Sequence, residues 1–124
     1  MSGIDFLADT NFLIHLNQGE SFVEPFLDYG FAVSFITEIE LLGAFSISKI
    51  QRNQFKNLLD DCLVLDLNYQ IKQECIAIRN KYKIKIPDAI IAATAVIYNI
   101  PLITSDKGLT KLKKLTCCLY KSKF

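Results

Sequence analysis

Apolar runs of strand length alternate along this chain with longer segments of helical period, and no other feature restricts its fold as tightly. IDFLAD (4–9), FAVSFI (31–36), CLVLDL (62–67), PLIT (101–104) and TCCLYK (116–121) each read as a strand. Between them, helices are predicted over about 12–17, 21–29, 37–45, 48–61, 68–82, 87–98 and 107–114. Within 68–82, Ile71, Cys75, Ile78 and Tyr82 recur at spacings of four, three and four, the stripe of an amphipathic helix. Pro87 suits the first turn of a helix, and the AIIAATAVIY that follows is apolar nearly all round, as in a buried helix. Strands that alternate with helices imply a mainly parallel central sheet of about five strands, covered on both faces. Right-handed crossovers reduce the topology to a few three-layer, doubly wound α/β forms. No repeat, low-complexity stretch or linker interrupts the 124 residues, so 1–124 is expected to form one domain.

Composition narrows the setting. Hydrophobic residues make up 51% of the chain, enough for a core plus at least one apolar interface. The most apolar segment, 89–103, is broken by Thr94, Asn99 and Pro101 and is too short for a membrane span, which needs roughly 18 unbroken residues. The first residues, MSGIDFLADTN, carry acids and no basic stretch, unlike a signal peptide. A soluble, cytoplasmic protein with no membrane contact is expected. Cys62, Cys75, Cys117 and Cys118 form no C-x-x-C, and with a single histidine in the chain they are expected to pack as reduced, small apolar residues. The net charge of +1 conceals an asymmetry: residues 1–66 carry −7 and residues 67–124 carry +8. Such a split suits cations held at one place and phosphates nearby.

Four acids fall at one rim of the expected sheet. In open α/β sheets, ligands bind beyond the carboxyl ends of the strands. Asp9 closes the first strand, Glu40 lies about one turn into the helix after the second, and Asp106 follows the fourth. Asp88 begins a helix whose chain returns into the fourth strand, so its first turn lies at the same edge. Singly, each acid has a structural reading. Asp9 and Asp106 suit turns or helix caps, Asp88 complements a helix dipole, and Glu40 suits a solvated helix face. Jointly they are carboxylates brought together from separate elements, which repel unless a cation sits among them. Magnesium or manganese, hard ions that prefer carboxylate oxygen, fit such a set, and one or two of them suit hydrolytic cleavage of a phosphodiester.

The same segments resemble the motifs of the PIN-domain ribonucleases. FLADTNFLI is similar to the first motif, an apolar strand ending in Asp-Thr-Asn, and SFITEIELLGA to the second. IPDAIIAATA resembles the helix opening that carries the third acid, and LITSD the fourth motif. The likeness runs from about residue 6 to 112, and the size and motif wording resemble those of the toxin (VapC-type) members of bacterial VapBC toxin–antitoxin pairs. The resemblance implies that Asp9, Glu40 and Asp88 are the catalytic, metal-holding carboxylates, with Asp106 as a fourth acid acting directly or through water. It makes Thr10, Asn11 and Thr104 residues that orient the carboxylates or the water. It implies attack on phosphorus by a metal-activated water, with no covalent enzyme intermediate. Spacing alone leaves Glu38 and Glu40 both open. The small Gly43 and Ala44 on the Glu40 face, and the motif alignment, select Glu40, with Glu38 as fallback. After Asp106 the chain departs from many relatives, reading Lys107-Gly108-Leu109 in place of a further acid or asparagine and an aromatic.

The expected function is therefore a metal-dependent endoribonuclease. The resemblance implies an RNA substrate, a VapB-like antitoxin and a homodimer, and the apolar residues around 41–59 suit both protein contacts. The alternative is a non-catalytic RNA-binding or assembly module on the same fold. Two other doubly wound families fail at one residue pair: Asp9-Thr10-Asn11 lacks both the paired acids of a receiver and the Asp-x-Asp of a haloacid-dehalogenase-type phosphatase. Lys81, Lys83 and Lys85 alternate with Tyr82, Ile84 and Ile86 just before Asp88 and are candidates to hold RNA phosphates, or simply form an exposed basic edge. His15 is expected to be structural, and Tyr82 to pack.

Overall fold

The computed structural model describes residues 3–121. Among them are five short strands: β1 (Phe6–Ala8), β2 (Phe31–Ser34), β3 (Leu63–Leu65), β4 (Leu102–Thr104) and β5 (Cys117–Leu119). Every neighbouring pair is parallel, and the spatial order is β3-β2-β1-β4-β5. The chain leaves the central β1 toward one edge, returns to its other side at β4, and so creates a switch point between β1 and β4. The connecting helices are α1 (Thr10–Asn17), α2 (Phe35–Leu42), α3 (Lys49–Asp60), α4 (Tyr69–Lys81) and α5 (Ile86–Tyr98).

The strands divide their side chains between two cores, because successive residues of a strand point to opposite faces. Leu7, Ala32, Leu102 and Cys117 pack on the α4–α5 side. Ala8, Phe31, Val33, Ile103 and Cys118 pack on the side of Phe12, Leu13, Leu41 and Leu59. The near-continuous apolar runs are the signature of strands buried on both faces. The four cysteines are free thiols, and the neighbours Cys117 and Cys118 serve opposite cores. On α5, Ala89 and the whole run from Ile91 to Ala95 are buried, and Thr94 satisfies its hydroxyl by donating to the Ile90 carbonyl at 2.7 Å.

Local chemistry sets the helix ends and accounts for several departures from the sequence-based expectations. The carboxylate of Asp9 accepts from the Phe12 N–H at 2.8 Å, so α1 begins at Thr10 rather than 12. Ser34 caps α2 through the Ile36 N–H, which starts that helix two residues before Thr37. Ser48 and Gln51 form a capping box at α3. Asn68 caps α4 at 2.8 Å, and Asn99 ends α5 in the left-handed conformation at φ 54°.

Two expected helices are corrected. The segment predicted over 21–29 is a 3-10 turn, Ser21–Phe26, because Pro25 has no N–H to donate and its ring clashes with a helical carbonyl four residues back. The segment predicted over 107–114 is a 3-10 turn limited to Lys107–Lys111, started by the Asp106 side chain on the Gly108 N–H. No helix among the described residues is long and apolar enough to cross a membrane.

Candidate active site

Three of the four acids line one hollow of about 320 Å³, together with Thr10, Asn11, Ile14 and Ile91. Asp9 arrives at the end of β1, Glu40 from α2 after β2, and Asp88 from the first turn of α5. The hollow lies beyond the carboxyl ends of the strands at the β1–β4 switch point, where this class of sheet places its ligands. Asp106, two residues past β4, lines an adjoining hollow of about 210 Å³ with Lys83, Lys85, Gly108 and Lys111. Asp88 borders both hollows and joins them.

A small network of hydroxyls orients the acids. Thr10 Oγ1 donates to Glu40 Oε1 at 2.7 Å and pairs with Thr37 Oγ1 at 3.0 Å. Thr37 is fully buried, so it fixes Thr10, and Thr10 in turn holds the exposed Glu40 toward the hollow. Thr104, also fully buried, donates its hydroxyl to the Asp9 carboxylate and accepts the Asp106 N–H at 3.1 Å. The Asp106 carboxylate accepts from the Gly108 N–H at 2.8 Å, and glycine leaves it room there, since a Cβ at 108 would lie 3.1 Å from Asp106 Oδ1. The departure at Lys107-Gly108 is thus a turn built around the fourth acid.

The electrostatics are those of crowded carboxylates. Burial pushes the Asp9 carboxyl up from 3.8 to about 6, and the charges of Asp88 and Asp106 add to it. The Thr104 and Phe12 hydrogen bonds oppose that rise without overcoming it. Asp88 is also raised, first by burial and then by Asp106 and Glu40, with Lys85 pulling the other way. Among the described residues, no three His, Cys, Asp or Glu side chains already converge as a finished ligand set. The donor chemistry nevertheless fits a hydrated divalent ion. Magnesium takes oxygen donors, keeps several of its waters and needs only one or two carboxylates directly, and the hollow offers carboxylates destabilised first by burial and then by their own repulsion.

The residues singled out in the sequence are distributed unevenly. Asp9, Glu40, Asp88, Thr10 and Asn11 share the hollow, and Thr104 bridges Asp9 to Asp106. Glu38 is not among the residues lining either hollow. Lys83 and Lys85 border the Asp88–Asp106 hollow, whereas Lys81 lines a different one. Tyr82 is half-buried against the α4–α5 core. His15 packs edge-on to Phe22, and its Nδ1 lies 2.9 Å from the Tyr120 hydroxyl. The sequence reading assigned no role to Thr37 or Lys111. Thr37 stands three residues before Glu40, a spacing that shares a helix face, so its place in the second motif was a usable signal. Lys111 reaches the site only through the 3-10 turn and carried none.

A family model described as the PIN domain matches residues 6–115. Among solved structures, the chain is similar to one in a toxin-antitoxin complex from Klebsiella pneumoniae, at 31% identity over 90% of this chain and 96% of that one, with a TM-score of 0.77. It is similar to a chain of VapBC-1 from nontypeable Haemophilus influenzae at 26% identity, covering 94% and 98%, with a TM-score of 0.75. A chain of VapBC2 from Rickettsia felis, in a complex bound to a DNA fragment from their promoter, shares the fold at 18% identity, covering 95% and 100%, with a TM-score of 0.84. No curated protein matches by sequence.

Proposed function

The chain belongs to the PIN-domain family of nucleases, and on that premise we propose that it is a metal-dependent endoribonuclease, the toxin of a VapBC-type toxin–antitoxin pair acting in the cytoplasm. The observation that carries this reading is the hollow that Asp9, Glu40 and Asp88, from three separate elements, line together, with two of the three carboxyls raised. Repelling carboxylates are an unfavourable arrangement for a purely structural site and a favourable one for a cation.

Asp9, Glu40 and Asp88 would hold one or two magnesium or manganese ions, with Asp106 contributing directly or through water. Such an ion supplies positive charge for the phosphate and lowers the pKa of water. The chain's own residues do the remaining work. Thr10, held by Thr37, keeps Glu40 pointed into the hollow. Thr104 orients Asp9. Asn11, exposed at the same hollow, offers an amide to a phosphate oxygen or to water. Lys83, Lys85 and Lys111 flank Asp88 and Asp106 and would bind phosphates on either side of the scissile one.

Exposed apolar surface supports the protein partners. Ile39 on α2, the fully exposed Phe45 and Ile50 on α3 leave one patch open. A groove of about 300 Å³ on α4 and the start of α5, lined by Leu67, Ile76, Ile86 and Ile90, is a second. A homodimer and a VapB-like antitoxin would cover these two surfaces. The sequence reading found the apolar residues around 41–59 compatible with both contacts; the α4 groove, whose exposed Ile76 sits outside the core stripe of that helix, adds a further candidate surface.

The test is incubation of purified protein with total RNA in magnesium or manganese, beside a chelator control and an Asp88→Asn variant. Cleavage by wild type that disappears in both controls is expected. Equal cleavage by Asp88→Asn would remove the site assignment, and a folded, antitoxin-free wild type that never cuts RNA would overturn the enzymatic reading.

A further inference from the structure

Away from the carboxylates, a hollow of about 280 Å³ opens between α4, α5 and the segment that leads into β5. Its walls are mainly apolar, formed by Ala77, Ile78, Tyr82, Val96, Leu112 and Leu115. Its rim is cationic, with Lys81, Lys113 and Lys114 against the single acid Glu74. Lys114 donates to Glu74 at 3.3 Å, so that pair neutralises itself and the rim stays positive. Lys81 Nζ lies 5.8 Å from the centroid of the Tyr82 ring. An apolar slot with an aromatic wall and an ammonium border matches a flat ring system attached to phosphate.

Two chain segments connect this slot to the candidate active site. Lys81 stands on its rim, and Lys83 and Lys85 border the Asp88–Asp106 hollow. Lys111 borders that same hollow, while Lys113 and Lys114 reach the slot. Successive lysines in each segment are one or two residues apart, at most about 7 Å of chain, so the two segments run a row of lysines from one hollow to the other. We propose that the slot takes a nucleobase of the RNA strand whose backbone follows this row past Asp88 and Asp106. The inference rests on the ribonuclease reading above and adds a base-holding site outside the carboxylates. An acidic peptide would match the rim charge but would give the row leading to the carboxylates no purpose, so RNA is the better-matched occupant.

The test measures binding without cleavage. Fluorescence anisotropy in chelator follows a labelled 12-nucleotide single-stranded RNA of mixed sequence, an abasic backbone of equal length and a poly-glutamate 12-mer. Ala77 is exposed on α4, so Ala77→Leu fills the slot with a good helix former. It should weaken RNA binding by about 5- to 150-fold, the scale of one lost base stack, and leave the abasic backbone unaffected. Lys113→Gln should weaken both nucleic acids and lower the salt slope by about 0.7. Unchanged RNA affinity in Ala77→Leu, or an equal loss for RNA and abasic backbone, would overturn the proposal. So would loss of poly-glutamate binding alone, which would give the slot to a protein partner. A wild type that binds no RNA would overturn the ribonuclease reading itself, a distinguishable failure. Should Ala77→Leu lose its helical circular dichroism, 4-thiouridine RNA crosslinked to wild type decides. Adducts within 77–82 or 112–115 support the site, and their absence there refutes it.

Discussion

Replacing Asp9 by asparagine should make the metal-free protein more stable while abolishing its activity. The carboxyl is raised from 3.8 to about 6, mainly by burial. A carboxyl whose folded pKa exceeds its unfolded one weakens the fold once it ionises: the penalty is absent below 3.8, grows as pH rises and is complete above about 6. At 1.36 kcal/mol per pKa unit, the penalty is about 3 kcal/mol at pH 7.5 and about 1 kcal/mol at pH 4.5. Asparagine avoids it and still offers an oxygen to the Phe12 N–H, so the cap of α1 survives. Urea denaturation in chelator should therefore show Asp9→Asn more stable than wild type by about 2–3 kcal/mol at pH 7.5, with the gap shrinking at pH 4.5. Added magnesium should stabilise wild type and leave the variant nearly unmoved. A variant less stable than wild type at pH 7.5 without metal would refute the reasoning, because it would mean that the Asp9 carboxylate is stabilised where it sits.

Three further outcomes follow from the geometry. Thr10→Val removes the hydroxyl that holds Glu40 at 2.7 Å, so RNA cleavage should fall about 10- to 100-fold, and loss of its bond to the buried Thr37 hydroxyl should cost about 1–3 kcal/mol in denaturation. Phe12→Ala empties a fully buried site surrounded by the rings of Phe26, Phe31 and Tyr120, and denaturation should show a loss of about 3–5 kcal/mol. The Cys62 thiol, pushed from 9.0 to about 11 chiefly by burial, should alkylate about 100-fold more slowly at pH 8 in the folded protein than in the denatured one, read by mass spectrometry of labelled peptides.

The layered α/β fold was legible because every strand is a short apolar run and every longer segment has a helical period. The strand order was not, since Phe6 pairs with Phe31 and Leu7 with Leu102 through contacts that no spacing reveals. Helix starts were misread where a cap acted before the apolar stripe began, as at Asp9 and Ser34. The carboxylate rim was readable because strand ends and the direction of α5 fix where Asp9, Glu40, Asp88 and Asp106 must lie. The hydroxyl network behind it was only partly readable. A buried threonine such as Thr37 looks in sequence like any helix residue, and its value depends on Thr10 lying 3.0 Å away across the fold. Lys81, Lys83 and Lys85 looked like one basic edge, but α4 ends at Lys81 and the extended segment after it sends them to two different hollows.

The central position of β1 also has a kinetic consequence. Its neighbour β2 is synthesised soon after it, but β4, which closes its other side, is made only after β2, β3 and the helices between them. Until residues 102–104 leave the ribosome, one edge of β1 stays unpaired and Asp9 lacks the Thr104 hydroxyl that orients it. Pairing so distant in sequence closes a long loop and folds slowly. A nascent chain can therefore form α1 to α5 and the β1–β2–β3 part of its sheet before Asp9 meets Thr104, and the carboxylate cluster comes into being only once β4 has docked.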